Sequence, residues 1–227
     1  MKHRFFAPDA IELGATVDLS DEERHHARVL RVRDGEDVEI FDALGRNFLG
    51  RFASGAIEVL RETGNREPAT AIHLAMSIIQ LDKFEFVLQK ATELGVQSFI
   101  PLITDRIEVR IERLGGKPDR WKKIVLEAVK QSGRSKIPPI ERPIRFDEAI
   151  KRAGSRIVFD ADAHPLTTDN RQPITVFIGP EGGFTERELQ LARDAGAAFE
   201  RLGPRRLRAE TAAIVGVTIL AARSGDI

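Results

Sequence analysis

The chain has 227 residues with 35 basic and 35 acidic side chains. Its formal net charge is therefore zero, and the overall charge gives no indication of nucleic-acid binding. Cysteine is absent, which excludes disulfides, thiolate nucleophiles and cysteine metal sites. The length allows one large or two modest domains, and a hydrophobic content of 42% is enough for a core.

The N-terminal part predicts a small, mostly β domain over residues 1–68. It lacks the long apolar run of a secretory signal, so we expect a cytoplasmic protein. Ser20 and Glu23 form a capping box that starts a helix running to about Val32. Alternating polar and apolar residues predict the strands that follow, at 37–41, 47–53 and 56–61. Residues 63–68 have linker composition.

From Ala71 onward strands alternate with helices, which predicts a second domain of α/β class over residues 69–227 with a mainly parallel sheet. The strands are predicted at 72–79, 98–103, 156–160, 174–178 and 198–202. The helices are predicted at 82–95, 119–133, 146–153, 185–195 and 208–222, with Asp82, Asp119 and Thr185 as N-caps. Because the last helix is apolar nearly all round, we expect it in the core or at the interface of a homodimer.

The most informative stretch is a glycine turn between a strand and a helix, Ile-Gly-Pro-Glu-Gly-Gly-Phe-Thr at residues 178–185. Open α/β sheets bind ligands at such junctions, and glycine lets the backbone approach a ligand closely. The turn lacks a phosphate-loop or dinucleotide pattern, and Glu181 would repel phosphate. It therefore favours a neutral or cationic ligand, although an ordinary tight turn would have the same residues.

Two further clusters could carry chemistry. Residues 202–212 contain a Gly-Pro turn and three arginines at the start of a helix. Because the helix dipole disfavours positive charge there, these arginines would need an external anion or a carboxylate such as that of Glu210 to neutralise them. The helix after Asp119 gathers polar groups at its end, which indicate either a site or a helix cap. Residues 105–156 hold 15 basic and 8 acidic side chains, a net of +7, which indicates either a nucleic-acid footprint or a solvated face.

Other chemistries find no support in the sequence. The five histidines have no metal-ligand spacing, and the adjacent His25 and His26 point in different directions from one helix, so no metal site is expected. No Gly-x-Ser-x-Gly elbow of a serine hydrolase is present.

Four blocks follow one another along the chain: residues 90–96 (Lys-Ala-Thr-Glu-Leu-Gly-Val), 127–134 (Glu-Ala to Gln-Ser-Gly-Arg), 178–184 and 202–212. In this order they resemble the ribosomal RNA small subunit methyltransferase E family. Near the N-terminus, His25-His26 with Val29-Leu30-Arg31 and Asp42 before a glycine turn resemble that family's RNA-binding domain. The resemblance covers the whole chain, which makes it far more specific than any single block.

The resemblance implies a PUA-like β-barrel followed by a SPOUT domain with a deep trefoil knot, a topology that pattern reasoning would not propose. It implies a homodimer that uses S-adenosyl-L-methionine to methylate N3 of a uridine in 16S ribosomal RNA, within the assembled small subunit. The absence of cysteine agrees, because carbon-5 methylation of a pyrimidine normally needs a thiolate. The alternative is a non-catalytic RNA-binding protein whose SPOUT domain has lost its donor site.

The resemblance also assigns roles to residues, subject to two departures from the family pattern at Ile107 and Arg206. The catalytic candidates are Arg106, Glu127, Gln131, Arg134 and Arg208, with Glu93 as a residue that could orient the arginines. The cofactor candidates are Ile178, Gly179, Glu181, Gly182, Gly183, Leu202, Gly203, Leu207 and Thr211. The RNA-binding candidates are His25, Arg28 and Arg31, which could equally form a solvated helix face.

Overall fold

The structure, a computed structural model, describes residues 3–165 and 173–227. The chain forms two compact units. The first contains the residues up to Glu67 together with Leu126–Ile137, and the second contains Pro68–Val125 and Pro138–Ile227.

The first unit is built on a five-stranded sheet with one helix. Its elements are β1 (Arg4–Ala7), β2 (Thr16–Asp18), α1 (Asp21–Val29), β3 (Asp37–Asp42), β4 (Asn47–Ala53) and β5 (Ala56–Thr63). The strand order is β1-β3-β4-β5-β2, and only the β1–β3 pair is parallel. Alternate residues of these strands, such as Phe5, Ile40 and Ile57, are fully buried and form the core of the unit.

Helix α1 confirms the predicted start but ends earlier than predicted. The Ser20 side chain accepts a hydrogen bond from the Glu23 N–H, as an N-cap should. The helix ends at Val29 rather than near Val32, because Arg31 takes a left-handed conformation with φ of 57°.

The second unit is an α/β domain around a six-stranded parallel sheet. Its elements are β6 (Ile72–Ser77), α2 (Leu81–Glu93), β7 (Ser98–Ile103), α3 (Lys117–Ser132), β8 (Ile144–Arg145), α4 (Phe146–Ala149), β9 (Ser155–Pro165), β10 (Ile174–Ile178), α5 (Glu186–Asp194), β11 (Ala198–Arg201) and α6 (Ala209–Arg223), with a 3₁₀ turn at Ile111–Arg113. The strand order is β11-β9-β10-β6-β7-β8. The second half of α3 belongs to the first unit.

The glycines predicted to end three helices are confirmed, whereas two of the predicted N-caps are wrong. Gly95, Gly133 and Gly196 follow the last residues of their helices with positive φ, as predicted. Asp82 and Asp119 were wrongly predicted as N-caps, since α2 begins at Leu81 and α3 at Lys117. Both carboxylates lie in the first turn, where the helix dipole favours them as well.

Helix α6 packs on the sheet through small residues. It lies against α2, β6 and β10, and Gly216 brings its backbone so close to the ring of Phe159 that an added Cβ would come within 2.6 Å of it. Ile214, Val215 and Ile219 are only partly buried, and the homodimer stays a prediction, as does the trefoil knot. Over the described ranges, every helix is too short or too polar to traverse a lipid bilayer.

Candidate functional site

The glycine turn follows β10 at the carboxyl edge of the parallel sheet. Gly183 has φ of 69°, and its N–H donates to the Pro180 carbonyl at 2.9 Å. A Cβ added at Gly183 would meet no atom within 4 Å, whereas one at Gly179 would lie 3.3 Å from Phe184. The turn is therefore closed on the side of Gly179 and open on the side of Gly183.

The start of α5 fixes the far end of this turn. Thr185 and Glu188 form the predicted capping box with both hydrogen bonds present. The Glu188 side chain is fully buried. Its carboxylate accepts hydrogen bonds from the N–H groups of Thr185 and Asp105 at 2.8 and 2.9 Å, and these bonds offset the cost of burying it.

A second glycine-containing loop follows β11 at the same edge. Gly203 has φ of 86° and, like Gly183, has open space where a Cβ would stand. The loop leads to α6, whose N-cap is Arg208. Arg205, Arg206 and Arg208 are exposed, and in the described part of the chain none of them pairs with Glu210. The simple explanation of this cluster, neutralisation by Glu210, therefore does not hold.

A third loop, after β7, reaches the glycine turn directly. Nη1 of Arg106 donates to the carbonyl oxygens of Gly182 and Phe184, at 2.6 and 3.3 Å. The Arg106 side chain also lies beside Gly182, since a Cβ there would be 3.3 Å from Arg106 Cδ. Parallel pairing thus gathers Arg106, the glycine turn and the Gly203 loop at one edge of the sheet.

Charged groups beside Arg106 tie its loop to α5. Asp105 accepts hydrogen bonds from Arg187 at 2.8 and 3.0 Å and from the Thr185 hydroxyl at 2.9 Å. The bond from Arg187 lowers the pKa of Asp105, and Asp105 and Asp147 in turn raise the pKa of Arg187. The sequence had singled out neither Asp105 nor Arg187, because they are 82 positions apart.

Glu181 projects from the exposed part of the turn. Its carboxylate lies 3.7 Å from Nζ of Lys83, in the first turn of α2. Both side chains are partly exposed, so the pair is screened by solvent and Glu181 stays open to a cationic ligand.

The remaining catalytic candidates, Glu127, Gln131 and Arg134, lie in the first unit. Glu127 and Gln131 are exposed on α3 and line a cleft of about 450 Å³. Other residues lining this cleft are His3, Arg4, His26, Glu39, Arg66 and Lys130.

Arg134, in contrast, is 2% exposed and bonded to Glu67 at 2.8 Å. Glu67 also accepts from the N–H groups of Ser135 and Lys136, at 2.8 and 2.9 Å. Burial would raise the pKa of Glu67, but these bonds outweigh it and the pKa is lowered. The expected partner Glu93 instead pairs with Lys90 at 2.8 Å.

Two more buried cations in the first unit also have partners. Arg4 donates to the Arg134 carbonyl and to Asn47 Oδ1, each at 2.7 Å. Lys130 forms ion pairs with Glu23 and Glu127, and burial raises the pKa of Glu23 although Lys130 opposes that change. These groups hold the second half of α3 within the first unit.

The RNA-binding candidates lie on the surface of the first unit. His25 and Arg28 are exposed on α1, and Arg31 is exposed just after it. Arg28 and Arg31 have no ion-pair partner among the described residues. They can therefore contact phosphates without first giving up a carboxylate.

Comparison with known proteins identifies the family to which this fold and this site belong. A model of an RNA methyltransferase domain matches residues 65–221, and a model of an RNA methyltransferase PUA domain matches residues 19–59. The two units and the glycine-lined sheet edge thus define an RNA methyltransferase with a PUA domain.

Individual relatives narrow the class. Ribosomal RNA small subunit methyltransferase E of Neisseria gonorrhoeae, solved with S-adenosyl methionine, is 34% identical with a TM-score of 0.92, over 98% of both chains. A putative methyltransferase of Legionella pneumophila, solved with the same cofactor, is 31% identical with a TM-score of 0.89, again over 98% of both. Ribosomal RNA small subunit methyltransferase E of Buchnera aphidicola subsp. Acyrthosiphon pisum is 31% identical, covering 98% of this chain and 94% of its own. The chain belongs to the ribosomal RNA small subunit methyltransferase E family.

Family membership confirms several predictions made from the sequence. The α/β fold class, the PUA-like first domain and the methyltransferase activity are confirmed. The roles of individual site residues and the domain boundary at residue 68 stay predictions.

Proposed function

We propose that this chain transfers a methyl group from S-adenosylmethionine to N3 of a uridine in 16S ribosomal RNA. The observation that carries the proposal is Arg106 lodged against an open glycine turn at the carboxyl edge of the sheet. Residues 1–68 would serve as the RNA-binding domain and residues 69–227 as the methyltransferase domain. We further propose that it acts in the cytoplasm as a homodimer on the assembled small subunit.

The glycine-lined edge fits the cofactor. Space lies open beside the backbones of Gly183 and Gly203, where a ligand can approach main-chain groups without meeting a side chain. Glu181 lies two residues before Gly183, and its negative charge would favour the cationic sulfonium centre of the cofactor. The other residues proposed to hold the cofactor are Ile178, Gly179, Gly182, Leu202, Leu207 and Thr211.

The reaction asks little more of the protein than placement and charge stabilisation. S-adenosylmethionine, when bound, would supply an electrophilic methyl group and leave as S-adenosylhomocysteine. Uridine N3 attacks only after its proton has passed to solvent, and the negative charge that remains spreads onto the flanking carbonyl oxygens. Nε and Nη2 of Arg106, which have no partner among the described residues, can donate to those oxygens, and the exposed Arg208 can assist.

The cleft of the first unit supplies a second set of contacts to RNA. Glu127 and Gln131 are exposed there, so they can meet a nucleotide, and Arg66 adds a cation. Arg134 is committed to Glu67, and we assign it to holding the end of α3 on which Glu127 and Gln131 stand. His25, Arg28 and Arg31 would bind phosphates outside the cleft.

The test is methyl transfer from tritiated S-adenosylmethionine to small subunits from cells that lack this gene, with stripped 16S RNA in parallel. Nucleosides are then separated by mass spectrometry against standards methylated at N3, C5 and the 2′-oxygen. We expect 3-methyluridine, formed faster on the subunit. A different methylated nucleoside would overturn the N3 assignment. A chain that binds RNA but shows no calorimetric binding of the cofactor would establish the non-catalytic alternative.

A further inference from the structure

Arg106 cannot hold its own position. Its side chain is exposed, and the bonds from its Nη1 to two carbonyls compete with water. A long, exposed side chain loses much rotamer freedom when it is fixed in this way. The orientation of its free Nε and Nη2 must therefore depend on how firmly the loop backbone is held.

Four attachments hold that backbone. One is the hydrogen bond from the Thr185 hydroxyl to the Asp105 carboxylate at 2.9 Å. Thr104 is 4% exposed, and its hydroxyl lies 2.8 Å from the Ser77 hydroxyl. The Asp105 N–H donates to the buried Glu188 carboxylate at 2.9 Å. The Asp105 carboxylate receives two parallel bonds from Arg187, a bidentate geometry that fixes direction as well as distance.

The position of Arg187 supports a role for this pair. It stands in the first turn of α5, where the helix dipole disfavours a cation. Asp105 offsets that disadvantage, and Asp147 contributes from α4 at 3.4 Å. One guanidinium thus links the Arg106 loop to the helix that begins where the glycine turn ends.

We propose that Asp105 and Arg187 are positioning residues that hold Arg106 on the glycine turn. This inference rests on the proposed function, in which Arg106 donates hydrogen bonds to the carbonyl oxygens of the uridine. Neither member of the pair touches the substrate; their effect passes through Arg106.

The experiment measures kcat and KM of Arg187→Gln, Arg106→Ala and the double variant, with Arg193→Gln as the control. Arg193 forms an exposed pair with Glu186 on the same helix, at 2.6 Å, and its described contacts do not include residues 104–107. Arg187→Gln should lower kcat by about tenfold or more with little change in the KM for RNA, because small misplacements of a reacting group are costly. In the Arg106→Ala background it should lower kcat no further. Arg193→Gln should match the wild type.

A second measurement does not depend on catalytic activity. Amide hydrogen exchange of residues 104–107, without ligand, should speed up in Arg187→Gln and in Asp105→Asn, and not in Arg193→Gln. Equal losses of kcat in both backgrounds, or unchanged exchange, would show that the pair is merely structural and would overturn the inference. A wild type that transfers no methyl group overturns the proposed function and this inference together, whereas an active wild type matched by Arg187→Gln overturns the inference alone.

Discussion

Alanine at Gly183 separates the cost of backbone strain from the cost of lost ligand space. Gly183 and Gly196 have φ of 69° and 73°, and neither has an atom within 4 Å of an added Cβ. Gly196 ends helix α5, and Gly183 lies in the glycine turn. The two substitutions therefore impose nearly the same strain, and only the first places a methyl group at the proposed cofactor site.

The two effects have different sizes. Holding alanine in the left-handed region costs about 1–2 kcal/mol at either position. For a chain of this size each kcal/mol lowers Tm by roughly 2–4 °C. At Gly183 the methyl group would also crowd the ligand, and overpacking of that kind costs about 1–3 kcal/mol. The Kd for S-adenosylmethionine should then rise by a factor of roughly 5 to 150.

Calorimetric titration with S-adenosylmethionine and thermal unfolding of both variants provide the assay. We expect Gly183→Ala and Gly196→Ala to lose similar amounts of Tm, and only Gly183→Ala to bind the cofactor more weakly. If Gly183→Ala bound as tightly as the wild type after the same loss of Tm, the open space beside it would not be the cofactor site.

Three further predictions concern stability. Glu67→Gln should lower the free energy of unfolding by roughly 3–5 kcal/mol, because it leaves Arg134 charged and buried, and urea unfolding would measure this. Gly216→Ala should lower Tm, since its Cβ would stand 2.6 Å from the Phe159 ring and overpacking outweighs the gain of about 1 kcal/mol in helix propensity; an unchanged Tm would contradict the packing described. Burial lowers the pKa of His73, so the unfolded chain takes up its proton first, and stability should fall as pH drops below about 6.5, by at most about 1.4 kcal/mol per pH unit. Urea titrations across pH should show a shallower slope for His73→Gln; an identical slope would refute this.

Local chemistry explains which parts of the fold were predictable. Helix ends at Gly95, Gly133 and Gly196 were predicted because glycine alone takes positive φ without strain. The starts of α2 and α3 were misplaced by two and three residues, since an aspartate is favoured both at the N-cap and within the first turn. Sequence patterns do not distinguish these two positions.

Some parts of the candidate site were likewise predicted from the sequence, and others were missed. The glycine turn was predicted because one short segment contains the strand end, the glycines and the capping box. The partners of the arginines at the site were missed, since Asp105 lies on a loop and Arg187 on helix α5, 82 positions away, and Glu67 lies in a segment that looked like a linker. Pairing over such distances is decided by the fold and leaves no periodic signal in the sequence.

Burial also decides which arginines can meet RNA. Arg4 and Arg134 are almost fully buried and bonded within the first unit, and because a guanidinium stays charged when buried, loss of such partners is costly. Those two can act on a substrate only by holding other groups in place. Exposed arginines such as Arg106 and Arg208 keep free donors at the sheet edge, so under the proposed function they are the arginines available to donate to the uridine oxygens.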